Sequence, residues 1–378
     1  MKALDAFQGR SVFITGHTGF KGSWLALWLH RLGARVSGYS LLPPSNPNNF
    51  VTSRVRELLA RHTNADIRDT AQLQGAIEAC RPAVIFHLAA QTLVRQSYRD
   101  VLQTFDVNGM GTASLLEAVR RLRLPCAVII VTSDKCYQIR DPRRRHRETD
   151  SLGGNDPYSA SKAAAEIVTE SFRQSFFRPE ELGDHGVQVA SVRAGNAIGG
   201  GDWARDRIFP DMVKAVVANA PVQIRNPRSI RPWQHVLEPL SGYLCLASRM
   251  LESVDPALCT GWNFGPPAGD GQTVEDLLNV FIRTWSGARW EDASGTVQPR
   301  EQPALYLSIE KAQSELGWQP RWRFEEAVGR TARWYQQFYA APNRSTRELC
   351  YQDISEYEAP SAHESGCLQS ALEHAHKH

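Results

Sequence analysis

Through the first two hundred positions, short runs of β-branched and aromatic residues alternate with stretches whose apolar positions recur every three or four residues. Ser11 to Thr15, Arg35 to Tyr39, Val84 to Leu88, Ala127 to Thr132 and Val187 to Arg193 read as buried strands. Helices are expected after Gly22, near Thr70, near Thr104 and from Asp156. Strict alternation of this kind predicts an α/β fold, a doubly wound parallel sheet with helices on both faces and ligands at the carboxyl ends of the strands. Beyond about Gly195 the alternation fades and Pro, Trp and Arg become frequent, as in Arg225-Asn226-Pro227 and Arg231-Pro232-Trp233. The expected organisation is a dinucleotide-binding domain over residues 1–194, a smaller C-terminal substrate lobe over 195–342, and a poorly ordered tail over 343–378.

The chain has 378 residues, enough for a large core without disulfide help. A net charge of +3, with charges interspersed, gives no support to nucleic-acid binding. The basic run Arg143 to Arg147, between Asp141 and Glu148, reads as a solvated loop. Seven scattered cysteines, an odd number without metal-ligand spacing, fit reduced thiols and no metal site. No signal-peptide pattern opens the chain, and no apolar run reaches the roughly 18 residues needed to span a bilayer. A cytoplasmic protein with no membrane partner is expected.

The first strand runs into Gly16-His17-Thr18-Gly19-Phe20-Lys21-Gly22 and then into a helix. Glycines at this spacing let the backbone turn sharply and approach a pyrophosphate, which meets the free N–H groups of the helix N-terminus. Dinucleotide binding is therefore expected at Gly16, Thr18, Gly19, Phe20, Lys21 and Gly22. Two further segments lie where this fold places cofactor contacts: Asp66-Ile67, whose carboxylate can accept from an adenine amino group, and Leu88-Ala89-Ala90, whose small side chains leave room. The second strand ends in Tyr39-Ser40-Leu41-Leu42, without the acid that commonly bonds a ribose 2′-hydroxyl.

In Asp156-Pro157-Tyr158-Ser159-Ala160-Ser161-Lys162, the four-residue spacing puts Tyr158 and Lys162 on one helical face. An ammonium beside a phenol stabilises phenolate, drawing its pKa down from about 10 and making Tyr158 a usable base for a hydroxyl proton near neutrality. The fifth strand ends in Thr132-Ser133-Asp134-Lys135-Cys136-Tyr137. Ser133 can hydrogen-bond the reacting hydroxyl. Asp134 and Lys135 form an ionisable pair of the kind dehydration requires, an acid for departing hydroxide and a base for a carbon-bound proton.

With these motifs, and with Arg193-Ala194-Gly195-Asn196, Gly199-Gly200-Gly201-Asp202-Trp203, Ser229 to Pro239, Gly261 to Pro266 and Leu316 to Trp322, the chain resembles the extended short-chain dehydrogenase/reductase family. Within it, the chain is similar to the branch that dehydrates CDP-glucose at C4 and C6. The resemblance, over about Phe7 to Tyr335, implies a Rossmann domain, NAD as cofactor and a homodimer built from helices near Thr104 to Arg121 and Asp156 to Phe176. It implies that Tyr158 deprotonates the 4-hydroxyl while hydride leaves C4, that Asp134 protonates the leaving 6-hydroxyl, and that hydride returns to C6. Lys135 stands where related enzymes carry the C5 base. Asn196 and Arg231 match positions that contact the nucleotide diphosphate, with Arg207 a further candidate nearby. Leu42, Thr92, Gly109 and parts of Glu301 to Ser308 depart from the family pattern. Two other readings share the cradle and the Tyr/Lys pair: a sugar-nucleotide 4-epimerase, which has no use for Asp134 as an acid, and a catalytically silent dinucleotide-binding protein.

Overall fold

The computed structural model describes residues 2–141, 144–224, 226–269, 271–293, 305–341 and 345–359. Seven strands, β1 (Ser11–Thr15), β2 (Arg35–Ser40), β3 (Arg61–Asn64), β4 (Val84–His87), β5 (Cys126–Val131), β6 (Val187–Ala194) and β7 (Gly261–Phe264), form one sheet. Their order is β7-β6-β5-β4-β1-β2-β3, and every pairing is parallel. The order reverses between β1 and β4, so the crevice at their carboxyl ends is where a ligand of this fold sits.

The two-residue period of the strands divides the core into layers. Val12 and Ile14, Val84 and Phe86, and Ala127 and Ile129 face one layer with Trp24, Trp28, Leu240 and Phe264. Phe13, Ile85, Val128 and Ile130 face the other, with Leu73, Ile77, Leu115 and Val119. The first layer is covered by α1 (Phe20–Arg31), the second by α2 (Thr70–Cys80) and α3 (Gly111–Leu122), while α4 (Pro157–Ser175) carries Tyr158 and Lys162 along the same side. Asp156 caps α4 through Ser159 N at 2.9 Å, and Pro157 occupies the first turn, where its missing N–H costs nothing. The helix expected near Thr104 forms and widens in the middle: Val101–Phe105 runs into a π turn at Asp106–Met110 and on into α3, with helical backbone at both junctions.

Two strands were not anticipated. Arg61–Asn64 is polar because it lies at the sheet edge, and Gly261–Phe264 returns from the second half of the chain to pair with β6. The helix Leu237–Glu252 likewise packs under the sheet, and the smaller lobe combines the helices Ile208–Val217, Val274–Thr284 and Phe324–Ala340 with short strand pairs, Ile230–Arg231 with Gln272–Thr273 among them. Part of the basic run also departs from expectation. Arg145–His146 pairs with Tyr306–Leu307, and the Arg145 guanidinium lies 5.6 Å from the Tyr306 ring centre.

The expected tail requires correction. Thr346–Glu358 is a helix that buries Leu349, Cys350, Ile354 and Tyr357 against the first core layer. Trp28 Nε1 donates to Glu358 Oε1 at 2.8 Å, and Tyr357 donates to Glu238 Oε2 at 2.9 Å. Its apolar positions are sparse among polar ones, and the face becomes a face only because α1 offers Trp28. The terminal histidines lie outside the described residues. Among those described, no helix is long and apolar enough to cross a membrane.

Candidate active site

The cradle is built by the turn after β1. Gly16 has φ +77°, and a Cβ there would stand 2.6 Å from Ala89 N and 2.7 Å from the Leu88 carbonyl carbon, so β1 and β4 meet only over a hydrogen. A Cβ at Gly22 would collide with the Gly16 carbonyl. Gly19 is the N-cap of α1 and provides no capping side chain, which leaves the first turn, with Phe20, Lys21 and Gly22, to face an anion. Leu88 and Ala89 are tied to Thr15 through its carbonyl (3.0 Å) and hydroxyl (3.2 Å), with Ala90 half-buried beyond. Thr18 is drawn toward β2, its hydroxyl 2.7 Å from Ser40 Oγ and donating to Leu41 O at 2.9 Å. Leu41 and Leu42, just past this strand end, are exposed and carry no carboxylate.

Asp66 is placed at the end of β3, but its carboxylate is gripped by Arg68 at 2.7 and 3.0 Å, which holds its pKa below the usual carboxylate range. Arg68 also binds Asp106 at 3.1 Å. Ile67, by contrast, is buried against α3.

The residues expected to act on substrate gather at the carboxyl end of β5. Ser133 Oγ donates to Asp134 Oδ1 at 2.9 Å, accepts from Lys135 N at 3.2 Å and hydrogen-bonds the Tyr158 phenol. Ser133, Asp134, Tyr158 and Lys162 are all buried, and Lys135 is half-buried in the same short turn. The Lys162 ammonium donates to the Val131 carbonyl at 3.3 Å. Burial pushes Lys162 down to about 8, with Lys21 adding repulsion. Lys21 is itself pushed down to about 8 by burial and by Arg207, while Asp134 pulls it up. These mutual influences put Lys21 near Lys162, Asp134 and Arg207.

The expectation that a neighbouring ammonium makes Tyr158 a base near neutrality is reversed by burial, which raises the phenol to about 12. The Ser133 hydrogen bond and the Arg207 charge oppose that rise, and Asp134 reinforces it.

Arg207 is anchored by Asp202 at 2.7 Å and reaches Thr92 Oγ1 at 3.4 Å. Asn196 joins through its backbone, its carbonyl accepting from Gln234 N at 3.1 Å. Arg231 sits on a short strand, donating to Ile230 O at 3.0 Å, and its neighbour Pro232 comes up against Gly195 below Asp134. Thus Lys21, Ser133, Asp134, Tyr158, Lys162 and Arg207 are brought into one cluster, whereas Asp66 stands apart with Arg68. Glu166 and Arg193, fully buried behind the cluster, carried no site assignment in the sequence reading. The available signal was Glu166 at the eighth position after Tyr158, a charge on the same inward face of the helix.

A family model described as GDP-mannose 4,6 dehydratase matches residues 13–252. The CDP-glucose 4,6-dehydratase of Salmonella typhimurium is 48% identical over 334 residues, covering 87% of this chain and 91% of that protein. Among solved structures, an epimerase of Methanothermobacter thermautotrophicus superposes with a TM-score of 0.74 at 22% identity, over 90% of this chain and 96% of the other. The dTDP-glucose 4,6-dehydratase of Bacillus anthracis in complex with NAD gives 0.70 at 20% identity, over 86% and 96%. These structural likenesses establish the fold.

Proposed function

This chain belongs to the GDP-mannose 4,6-dehydratase family, and we propose that it is an NAD-dependent CDP-D-glucose 4,6-dehydratase, releasing CDP-4-dehydro-6-deoxy-D-glucose and water. The observation that carries this reading is a buried carboxyl group, Asp134, held by Ser133 within the cluster that contains the Tyr158 phenol. Chemistry that only moves hydride and a hydroxyl proton has no need of a second buried acid there.

The cradle fits a dinucleotide, because Gly16 and Gly22 leave open the space a Cβ would fill and the uncapped N-terminus of α1 faces it. Gly16, Thr18, Gly19, Phe20, Lys21, Gly22, Leu88, Ala89 and Ala90 would hold it, with Ile67 and the backbone near Asp66 at the adenine end. When bound, NAD supplies the hydride acceptor and a positive charge that favours phenolate at Tyr158. Tyr158 takes the proton of the 4-hydroxyl, and Ser133 steadies that oxygen. The resulting ketone acidifies the C5 proton, which Lys135 receives. Asp134 gives its proton to the 6-hydroxyl, which leaves as water; C6 then takes up the hydride that C4 gave up, and C5 regains a proton. Asn196, Arg207 and Arg231 hold the nucleotide diphosphate, guanidinium groups suiting bidentate phosphate binding.

Two copies pair through α4 and the helical stretch before and including α3, where Leu102, Met110, Ile167 and Phe176 stand exposed on the single chain. Sedimentation at micromolar concentration tests this. The enzyme works in the cytoplasm.

Incubation with CDP-glucose followed by mass measurement tests the central reading. Loss of one water is expected. Unchanged mass with inversion at C4 would establish the epimerase instead.

A further inference from the structure

Glu166 lies two helical turns beyond Tyr158 and one beyond Lys162 on α4, sealed from solvent. Four donors converge on its carboxylate. Thr132 Oγ1 (2.5 Å) and Arg193 Nε (2.9 Å) bind Oε1, and Ser191 Oγ (2.7 Å) and Arg193 Nη2 (2.8 Å) bind Oε2. Arg193 also donates to the Tyr137 hydroxyl at 2.6 Å and the Glu148 carbonyl at 3.0 Å, with its guanidinium 4.9 Å from the Tyr137 ring centre. The Tyr137 hydroxyl in turn donates to Asn263 Oδ1 at 2.8 Å. Thr132 and Tyr137 are the residues that flank Ser133-Asp134-Lys135-Cys136, so the ion pair grips the catalytic segment at both ends. Gly261 leaves the room for this, since a Cβ there would stand 2.9 Å from Arg193 Nη2.

Stability alone does not account for such a pair, because well-packed apolar residues of similar volume commonly serve as well or better. We propose that Glu166 and Arg193 are a positioning pair: they fix the Ser133 to Cys136 segment against the helix bearing Tyr158 and Lys162, and Glu166 keeps a negative charge one turn from the Lys162 ammonium. This deepens the dehydratase reading and rests on it for the roles of Tyr158 and Lys162. The electrostatics agree: burial and Lys21 push Lys162 down to about 8, and Glu166 acts in the opposite direction. Removing the Glu166 charge therefore deprotonates Lys162 at lower pH.

The test compares wild type with Glu166→Gln, Glu166→Asp and the double variant Glu166→Gln/Arg193→Met, which leaves no unpaired buried charge if the single neutral variant fails to fold. Three readouts are taken: the pH dependence of kcat, hydrogen exchange of the amides from 133 to 137, and the titration of Lys162 followed by NMR of isotope-labelled lysine. In the neutral variants kcat falls roughly 10- to 100-fold, as a small misplacement of reacting groups produces, with KM nearly unchanged. The alkaline limb and the Lys162 midpoint move to lower pH, and exchange quickens. Glu166→Asp, which keeps the charge, leaves the limb in place. An unshifted limb and midpoint with unchanged exchange, accompanied only by lower thermal stability, overturns the proposal. Wild type that releases no water from any sugar nucleotide would defeat the dehydratase reading alone, since exchange and the Lys162 titration are measured without turnover.

Discussion

A methyl group on Gly195 would lie 2.9 Å from Asp134 Oδ2. The first residue past β6 is thus the floor on which the buried acid rests, with Pro232 also close to that position. Gly195→Ala is expected to push the carboxyl group out of line and lower kcat roughly 10- to 100-fold. KM should hardly change, and stability should fall by no more than about 1–2 kcal/mol. Steady-state kinetics with thermal denaturation check both halves.

Tyr158→Phe removes the phenolic oxygen but keeps the ring in its buried place on α4. Turnover should drop by about 10²–10⁴ or more, the usual worth of a positioned proton acceptor. NAD affinity, measured by calorimetry, should stay near that of the wild type. A variant with undiminished turnover would remove Tyr158 from the reaction.

Gly16→Ala attacks the cradle itself. At φ +77° a Cβ meets Ala89 N at 2.6 Å, so either the turn opens or β1 and β4 separate. Loss of NAD binding is expected together with a lower melting temperature, whereas Gly75→Ala, in α2 with open space at its Cβ, should leave both intact or raise stability slightly.

Asp353, on the helix Thr346–Glu358, is raised to about 7 by burial, which Arg330 only partly offsets. Its folded pKa lies above the unfolded value near 3.8, so between about pH 4 and 7 the folded state binds more protons than the unfolded one. This contribution is present at low pH and is lost as pH rises toward 7. Asp353→Asn should therefore gain melting temperature over wild type on going from pH 5 to pH 8, by about 2–4 °C. Parallel curves would show that the carboxyl titrates normally.

Deleting Thr346–Glu358 uncovers Trp28 and the Glu238 carboxylate, which accepts from Trp322 N at 2.6 Å and from Tyr357. Leu349 and Ile354 leave the core with it, each worth about 1.5–3 kcal/mol, together with Cys350 and Tyr357. A fall in melting temperature of at least about 5 °C is expected, measured calorimetrically on the shortened chain.

Sequence alone determined what short-range patterns encode. The two-residue period marked five strands of the sheet, the glycine spacing after β1 marked the cradle, and the four-residue interval placed Tyr158 and Lys162 on one side of α4. Each depends on residues a few positions apart, whose geometry the backbone fixes locally. Tertiary structure decided the rest: that Lys21 stands beside Lys162 and Asp134, that Arg68 occupies the Asp66 carboxylate, that burial outweighs cations at Tyr158, and that Thr346–Glu358 is part of the core. Charge and burial act through space on partners far away along the chain, and folding alone brings those partners together.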